Sequence, residues 1–266
     1  MTSNQPTPLN RRELLRNGGL AISLGALLAA CGSDRSGPDT PGKIGVEMLP
    51  EDESIDTTVD DAVILRTLQS LEYTTIEMHT ILAGSGALSG DALALAERLI
   101  TEHRRHADEV GELVAQAGGS AYECANPFLM ERTVSPLAAA LEGSDDPTRD
   151  ALEIANGFEN MVAASYQAMV EQLSDGALRP GAMTIGNESA RQAAVVALAT
   201  DPDAVAPELG EAEESEFPTF YAIPAPFGQL TGITLVVGTA DVDGARTSVS
   251  LQTPAENSFV YNDLSC

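Results

Sequence analysis

Glutamate and histidine recur in this chain at spacings that would bring them to one interior. Leu71-Glu72 followed by His79 is answered about 87 positions later by Phe158-Glu159 followed by Tyr166. Glu102-His103-Arg104-Arg105-His106 is answered at nearly the same offset by Glu188-Ser189-Ala190-Arg191-Gln192. Side chains three or four apart share one helix face. Two helical hairpins related in this way would turn carboxylates from four helices toward a common core, where charge is costly unless it is paired or bound to a metal ion. Pairing has its own candidates, because Arg105 or Arg191 could neutralise a buried carboxylate from a neighbouring helix. His79 lies two turns after Glu72 and on the same face; its counterpart is Tyr166, so it reads as a packed position with a polar tip.

Four stretches carry the apolar periodicity that would position these residues. The first runs from about Val59 to Ala83 and stops at Gly84-Ser85-Gly86; the second runs from about Asp91 to Ala117 and stops at Gly118-Gly119. The third, behind a proline suited to a helix start, covers about Thr148 to Leu173, and the fourth about Pro180 to Thr200. Connections of about seven residues join the first stretch to the second and the third to the fourth, which predicts two antiparallel hairpins. Nearly 30 residues, with Cys124, Pro127 and Pro136 among them, separate the hairpins. A connection that long can cross the length of a bundle and hold a short helix around Pro136 to Leu141.

Beyond Thr200 the composition changes. Glu208 to Glu216 is acidic, Pro218, Pro224 and Pro226 break any helix, and Ile233 to Val237 and Thr247 to Leu251 read as strands about an Asp243-Gly244 turn. Phe259-Val260-Tyr261 reads as a third short strand. A lone hairpin is marginal in water, so this tail is expected to pack on the helices.

At the other end, Asn10-Arg11-Arg12-Glu13-Leu14-Leu15-Arg16 leads into a weakly apolar run, Gly18 to Ala30, shorter than the ~20 residues a membrane-spanning helix needs. The run ends at Leu28-Ala29-Ala30-Cys31-Gly32. This order of charge, apolar run and small-residue cysteine site resembles a bacterial lipoprotein signal, and the paired arginines resemble a twin-arginine export signal. The resemblance implies that Cys31 is lipidated, that the protein is exported and anchored at the outer face of the cytoplasmic membrane or in the cell envelope, and that the lipid is its link to the membrane. The expected organisation is a signal at 1–31, a flexible Gly/Pro/Ser/Asp/Glu-rich tether at 32–58, a helical domain at 59–200, and an acidic linker with a small β extension at 201–266.

With Cys31 assigned to lipid, Cys124 and Cys266 remain. In an oxidising compartment they are expected to form one disulfide closing a loop of about 140 residues. Two free thiols are the alternative; no Cys-x-x-Cys spacing points to zinc. A formal charge of −26 argues against nucleic acid and anionic headgroups as partners, since both require clustered positive charge. No nucleophile triad or phosphate-binding glycine loop is present.

On Leu71-Glu72, the Glu102 to His106 stretch, Phe158-Glu159 and Glu188 to Gln192, the region from about 60 to 200 resembles an exported ferritin-like domain protein. The resemblance implies a mostly α fold, a four-helix bundle of two hairpins with a long crossover, followed here by the small β extension. It also implies an iron or manganese site, with Glu72 and Glu159 as the single glutamates and His106 as the second-helix histidine. The pattern departs in detail: His103 stands three before His106 where a glutamate is expected, and Glu102 stands four before. On the fourth helix the matching positions hold Ser189 and Gln192, with Glu188 four residues before Gln192. The candidate metal ligands are therefore Glu72, Glu102, His103, His106, Glu159 and Glu188. Glu72, His106 and Glu159 are expected to converge within about 4–5 Å of a point, and any ion to sit toward the first hairpin. A metal-free binding or structural module of the cell envelope, and an enzyme with a pocket between bundle and tail, are the other two readings.

Overall fold

Asp60 opens the first helix, its carboxylate accepting the Val63 N–H at 2.8 Å. That helix, α1, runs Asp61–Gly84 in the computed structural model, which describes residues 58–200 and 233–266. The signal-like segment with Cys31, nearly all of the tether, and the acidic linker lie outside the described residues. The next helix, α2, spans Gly90–Gln116 and ends where Gly118, at φ +82°, takes the left-handed turn that favours glycine. A helical turn α3, Pro127–Leu129, passes through a π-helical segment at Met130–Val134 into α4, Ser135–Glu142. Asp146 caps α5, Pro147–Val170, and α6 covers Arg179–Thr200. The four long helices fall within three residues of their predicted bounds.

Contacts fix the direction of each pair. Gly119 lies against Ala62, Gln69 donates to the Ala107 carbonyl, and Glu72 meets His103, so α1 and α2 run antiparallel. Asn156 donates to the Ala193 carbonyl while Tyr166 packs on Gly186, so α5 and α6 do the same. The two hairpins meet through α1 on α5 and α2 on α6. Between them lies a core of Leu65, Leu68, Leu71, Met78, Phe158 and Met161, all removed from solvent. Each such side chain contributes about 1.5–3 kcal/mol of burial.

The remaining sheet is small: β1, Ile233–Val237, pairs antiparallel with β2, Thr247–Leu251, with Leu235 opposite Val249. Leu235, Val237, Val249 and Leu251 face inward. Gly157 on α5 leaves room for them, because a Cβ there would come within 2.7 Å of the Leu251 side chain. Asp150, buried on α5, holds the hairpin's far end by accepting from Arg246 Nη2 at 2.7 and 2.8 Å and from the Gly238 N–H at 2.8 Å.

Phe259-Val260-Tyr261 is not a strand. Its backbone is instead taken up by side chains of α1: the Val260 N–H donates to Thr67, while the carbonyls of Val260, Tyr261 and Leu264 accept from Arg66. Arg66 is 3% exposed and also donates to the Ser120 carbonyl at 2.5 Å. Cys124 and Cys266 form a disulfide there, their Cα atoms 5.8 Å apart. No helix among the described residues is long and apolar enough to cross a membrane.

Candidate metal centre

All three histidines of the chain converge on one point in the helical core. His79 comes from α1, where Glu72 lies two turns earlier; His103 and His106 come from one face of α2; Glu159 comes from α5. All five side chains are fully buried.

His103 is the hub. Its Nδ1 lies 2.6 Å from Glu72 Oε2 and its Nε2 2.9 Å from Glu159 Oε1. An ionised carboxylate only accepts, so both ring nitrogens must carry hydrogen and the ring is an imidazolium. Burial alone would push the His103 pKa down; the charges of Glu159 and Glu72 outweigh it and hold it up at about 10. Burial likewise works to raise Glu72 and Glu159, but the His103 charge and hydrogen bonds bring both down to about 2.

The internal echo appears here as a crossed pair of bonds. His79, seven residues after Glu72, donates to Glu159 at 2.9 Å; Tyr166, seven residues after Glu159, donates to Glu72 Oε1 at 2.7 Å. Burial lowers the His79 pKa despite its bond to Glu159, and burial together with the Glu72 charge raises Tyr166. His106 Nδ1 stands 3.6 Å from Glu72 Oε2, an electrostatic contact beyond hydrogen-bond length, and its Nε2 lies 3.1 Å from Glu188 Oε2.

Two overlapping groups could hold a metal ion: Glu72 with His103 and His106, and Glu159 with His79 and His103. In each group one ligand atom per residue lies within 4.8 Å of the others. Each offers two imidazoles and a carboxylate, the donor set of many non-haem iron sites. A test of fit comes from the hydrogen-bond inventory. His79 Nδ1, His106 Nδ1 and Glu159 Oε2 are buried without a hydrogen-bond partner, and such atoms are uncommon in folded proteins unless a ligand or ion satisfies them. The residues present could therefore hold a metal ion.

The predicted site residues separate into three places. Glu72, His103, His106 and Glu159 come together, though Glu159 reaches the cluster through His79 and His103 and is not grouped with Glu72 and His106 as expected. Glu188 sits at the edge, partly exposed, touching His106 and ion-paired to Arg191 at 3.7 Å. Glu102 is outside the cluster, on the surface with Arg105 at 3.1 Å and Arg98 at 3.9 Å. Neither arginine proposed as a partner reaches a buried carboxylate; Arg105 binds Glu102, Glu109 and Glu188 instead. His79 was assigned a packing role and proves to belong to the second group. Its spacing of seven from Glu72, matched by Tyr166 after Glu159, was the signal.

What the fold and site define is a class: a mostly helical protein whose buried histidine and glutamate side chains could hold a metal ion. No protein-family model, curated protein or solved structure matches this chain.

Proposed function

We propose that this chain is a ferritin-like four-helix-bundle protein, exported and anchored by lipid at Cys31, that binds iron or manganese in the cluster of His79, His103, His106, Glu72 and Glu159. One observation carries the metal assignment: two groups of two histidines and a carboxylate share His103 in a fully buried core with three unsatisfied donor or acceptor atoms. A bound ion would supply Lewis-acid or one-electron chemistry. The chain's part is to present His103 and Glu72 or Glu159 as ligands, to fix Glu72 through Tyr166, and to keep water out. The export and anchoring follow the resemblance of residues 1–31 to a twin-arginine lipoprotein signal.

Elemental analysis of the full chain after loading with Fe²⁺ or Mn²⁺, beside His103→Ala and His106→Ala variants, tests the site. Bound metal in the parent, its loss in His103→Ala, whose ring belongs to both groups, and a lowered content in His106→Ala, whose ring belongs to one, are expected. Near-zero metal in the parent, or equal metal in all three, would sink the assignment. For the anchor, Cys31→Ala should shift the protein from the membrane to the soluble fraction; an unchanged distribution rejects it.

A second reading has its own support. His103 already bonds both buried carboxylates, so its imidazolium could act as a permanent internal cation in a metal-free module of the cell envelope. This reading predicts a metal-empty protein, isolated from cells grown with ample iron and manganese, that also takes up neither ion in vitro.

A further inference from the structure

A fully buried cluster needs a way in for its ion, and its bonds lead to the surface in one direction. Of the five cluster side chains, His106 alone reaches partly exposed ones: its Nε2 lies 3.1 Å from both Arg105 Nη2 and Glu188 Oε2. Beside them, between α2 and α6, lies a surface groove of ≈ 290 Å³ whose wall carries Glu102 and Glu188, each with a neighbouring arginine at its rim, Arg98 and Arg191, together with Gln192 and apolar side chains of both helices. Gln192 has a buried Oε1 with no hydrogen-bond partner.

Arg105 links this groove to the cluster, touching Glu102 and Glu188 of the groove wall and His106. Its Nη2 lies 3.1 Å from Glu102 Oε2, 3.1 Å from His106 Nε2, and in close contact with Glu188 Oε2. Two carboxylates and an imidazole are the surroundings a divalent cation would seek. Here the protein's own guanidinium fills them. Nη1 is held by Glu109 at 2.6 Å, so three carboxylates keep the plug in place, and Arg105 itself is 42% exposed to solvent.

We propose that the groove is the port through which a divalent cation reaches the buried cluster, and that Arg105 is a tethered cation plugging it. The incoming ion displaces Arg105 Nη2 from Glu188, Glu102 and His106, and passes inward as Arg105 returns. The inference rests on the metal-binding reading and sets the rate of exchange at that site, leaving its final content alone.

Co²⁺ uptake and release by the full chain test it, followed by ligand-field absorbance and a chelator chase. Arg105→Ala should speed both about tenfold, the scale of losing a charge-assisted contact worth one decade in rate, with equilibrium content unchanged. Arg105→Lys, which keeps a cation in the port, should stay near the parent rate. Adding Glu188→Gln to Arg105→Ala should slow uptake again, because the receiving carboxylate is gone. Equal rates for parent and Arg105→Ala at equal final content overturn the port and leave the metal site standing; so does Arg105→Lys matching Arg105→Ala. Absence of Co²⁺ from every form, even after refolding in its presence, overturns the metal-binding reading and the port with it.

Discussion

His103 Nε2 and Glu159 Oε1 stand 2.9 Å apart across 56 residues of chain, both fully buried. The same ring holds Glu72 on its other nitrogen. One side chain therefore ties α2 to both α1 and α5, and it is the only link of that kind within the cluster.

Removing that ring leaves two buried carboxylates without their shared donor. His103→Ala in the metal-free protein is expected to lower unfolding free energy by about 3–5 kcal/mol, the range for breaking a buried ion pair from one side. His79→Ala, which removes one of the two donors to Glu159, should cost less, about 1–3 kcal/mol. Urea denaturation of the two variants beside the parent checks the order; equal midpoints would mean that His103 is not the electrostatic centre.

The pH dependence follows from His103, Glu72, Glu159 and His79 of the same cluster. His103 is raised from 6.5 to about 10, so its stabilisation is complete below 6.5 and is lost as pH climbs through about 10. Glu72 and Glu159 are lowered from 4.5 to about 2, so theirs is present above 4.5 and is lost as pH falls toward 2. His79 is lowered by burial, so it adds a loss of stability below 6.5, where the unfolded chain takes up its proton. The metal-free protein should weaken on both sides of neutrality, and His103→Gln should erase the alkaline arm. A metal ligand must first lose its proton, so ion uptake near neutral pH should release about one proton from His103. Calorimetry in two buffers of different ionisation enthalpy reads the net protons released by the cluster, and an equal release from parent and His103→Gln would count against His103 as a ligand.

The covalent clamp at the tail has a separate signature. Reducing Cys124–Cys266, which spans 142 positions, should remove about 2–4 kcal/mol. Residues 259–266 should become sensitive to protease while the four long helices keep their circular dichroism. Loss of helical signal on reduction alone would show that the tail is integral to the helical core.

Gly186 and Gly84 provide a steric contrast. A Cβ on Gly186 would come within 2.5 Å of Tyr166 Cβ, whereas one on Gly84 meets nothing within 4 Å. Gly186→Ala should cost about 1–3 kcal/mol by overpacking and displace the hydroxyl that fixes Glu72. Gly84→Ala should be neutral or stabilising by up to about 1 kcal/mol. Thermal melts of both variants decide it; equal shifts would contradict the packing described here.

Much of this fold was legible because local rules sufficed. Gly84-Ser85-Gly86 and Gly118-Gly119 stop the first two helices, Pro147 starts the third long one, and the alternation in Ile233–Val237 and Thr247–Leu251 marks both strands. Phe259–Tyr261 misled because β-favouring residues say nothing about which groups will meet their backbone; here the Thr67 hydroxyl accepts from Val260 and Arg66 donates to Tyr261. The site was half legible. Spacing put Glu102, His103 and His106 on neighbouring parts of one face, but the rotation of α2 about its axis decides which turn inward. That rotation buries His103 and leaves Glu102 among arginines, and it is set by packing across helices far apart in sequence.

Arg66 makes the order of synthesis matter. It lies in the first turns of α1, yet two of its carbonyl acceptors, on Tyr261 and Leu264, emerge 195 and 198 residues later. Until then the guanidinium has only the Ser120 carbonyl, and the first turns of α1 lack part of their final surroundings. The start of α1 is thereby completed by a late stretch of the polypeptide, so a stalled or shortened chain should leave those turns open to solvent. A nascent chain arrested at Ser258 should accordingly exchange the amide hydrogens of the first turns of α1 faster than the released protein.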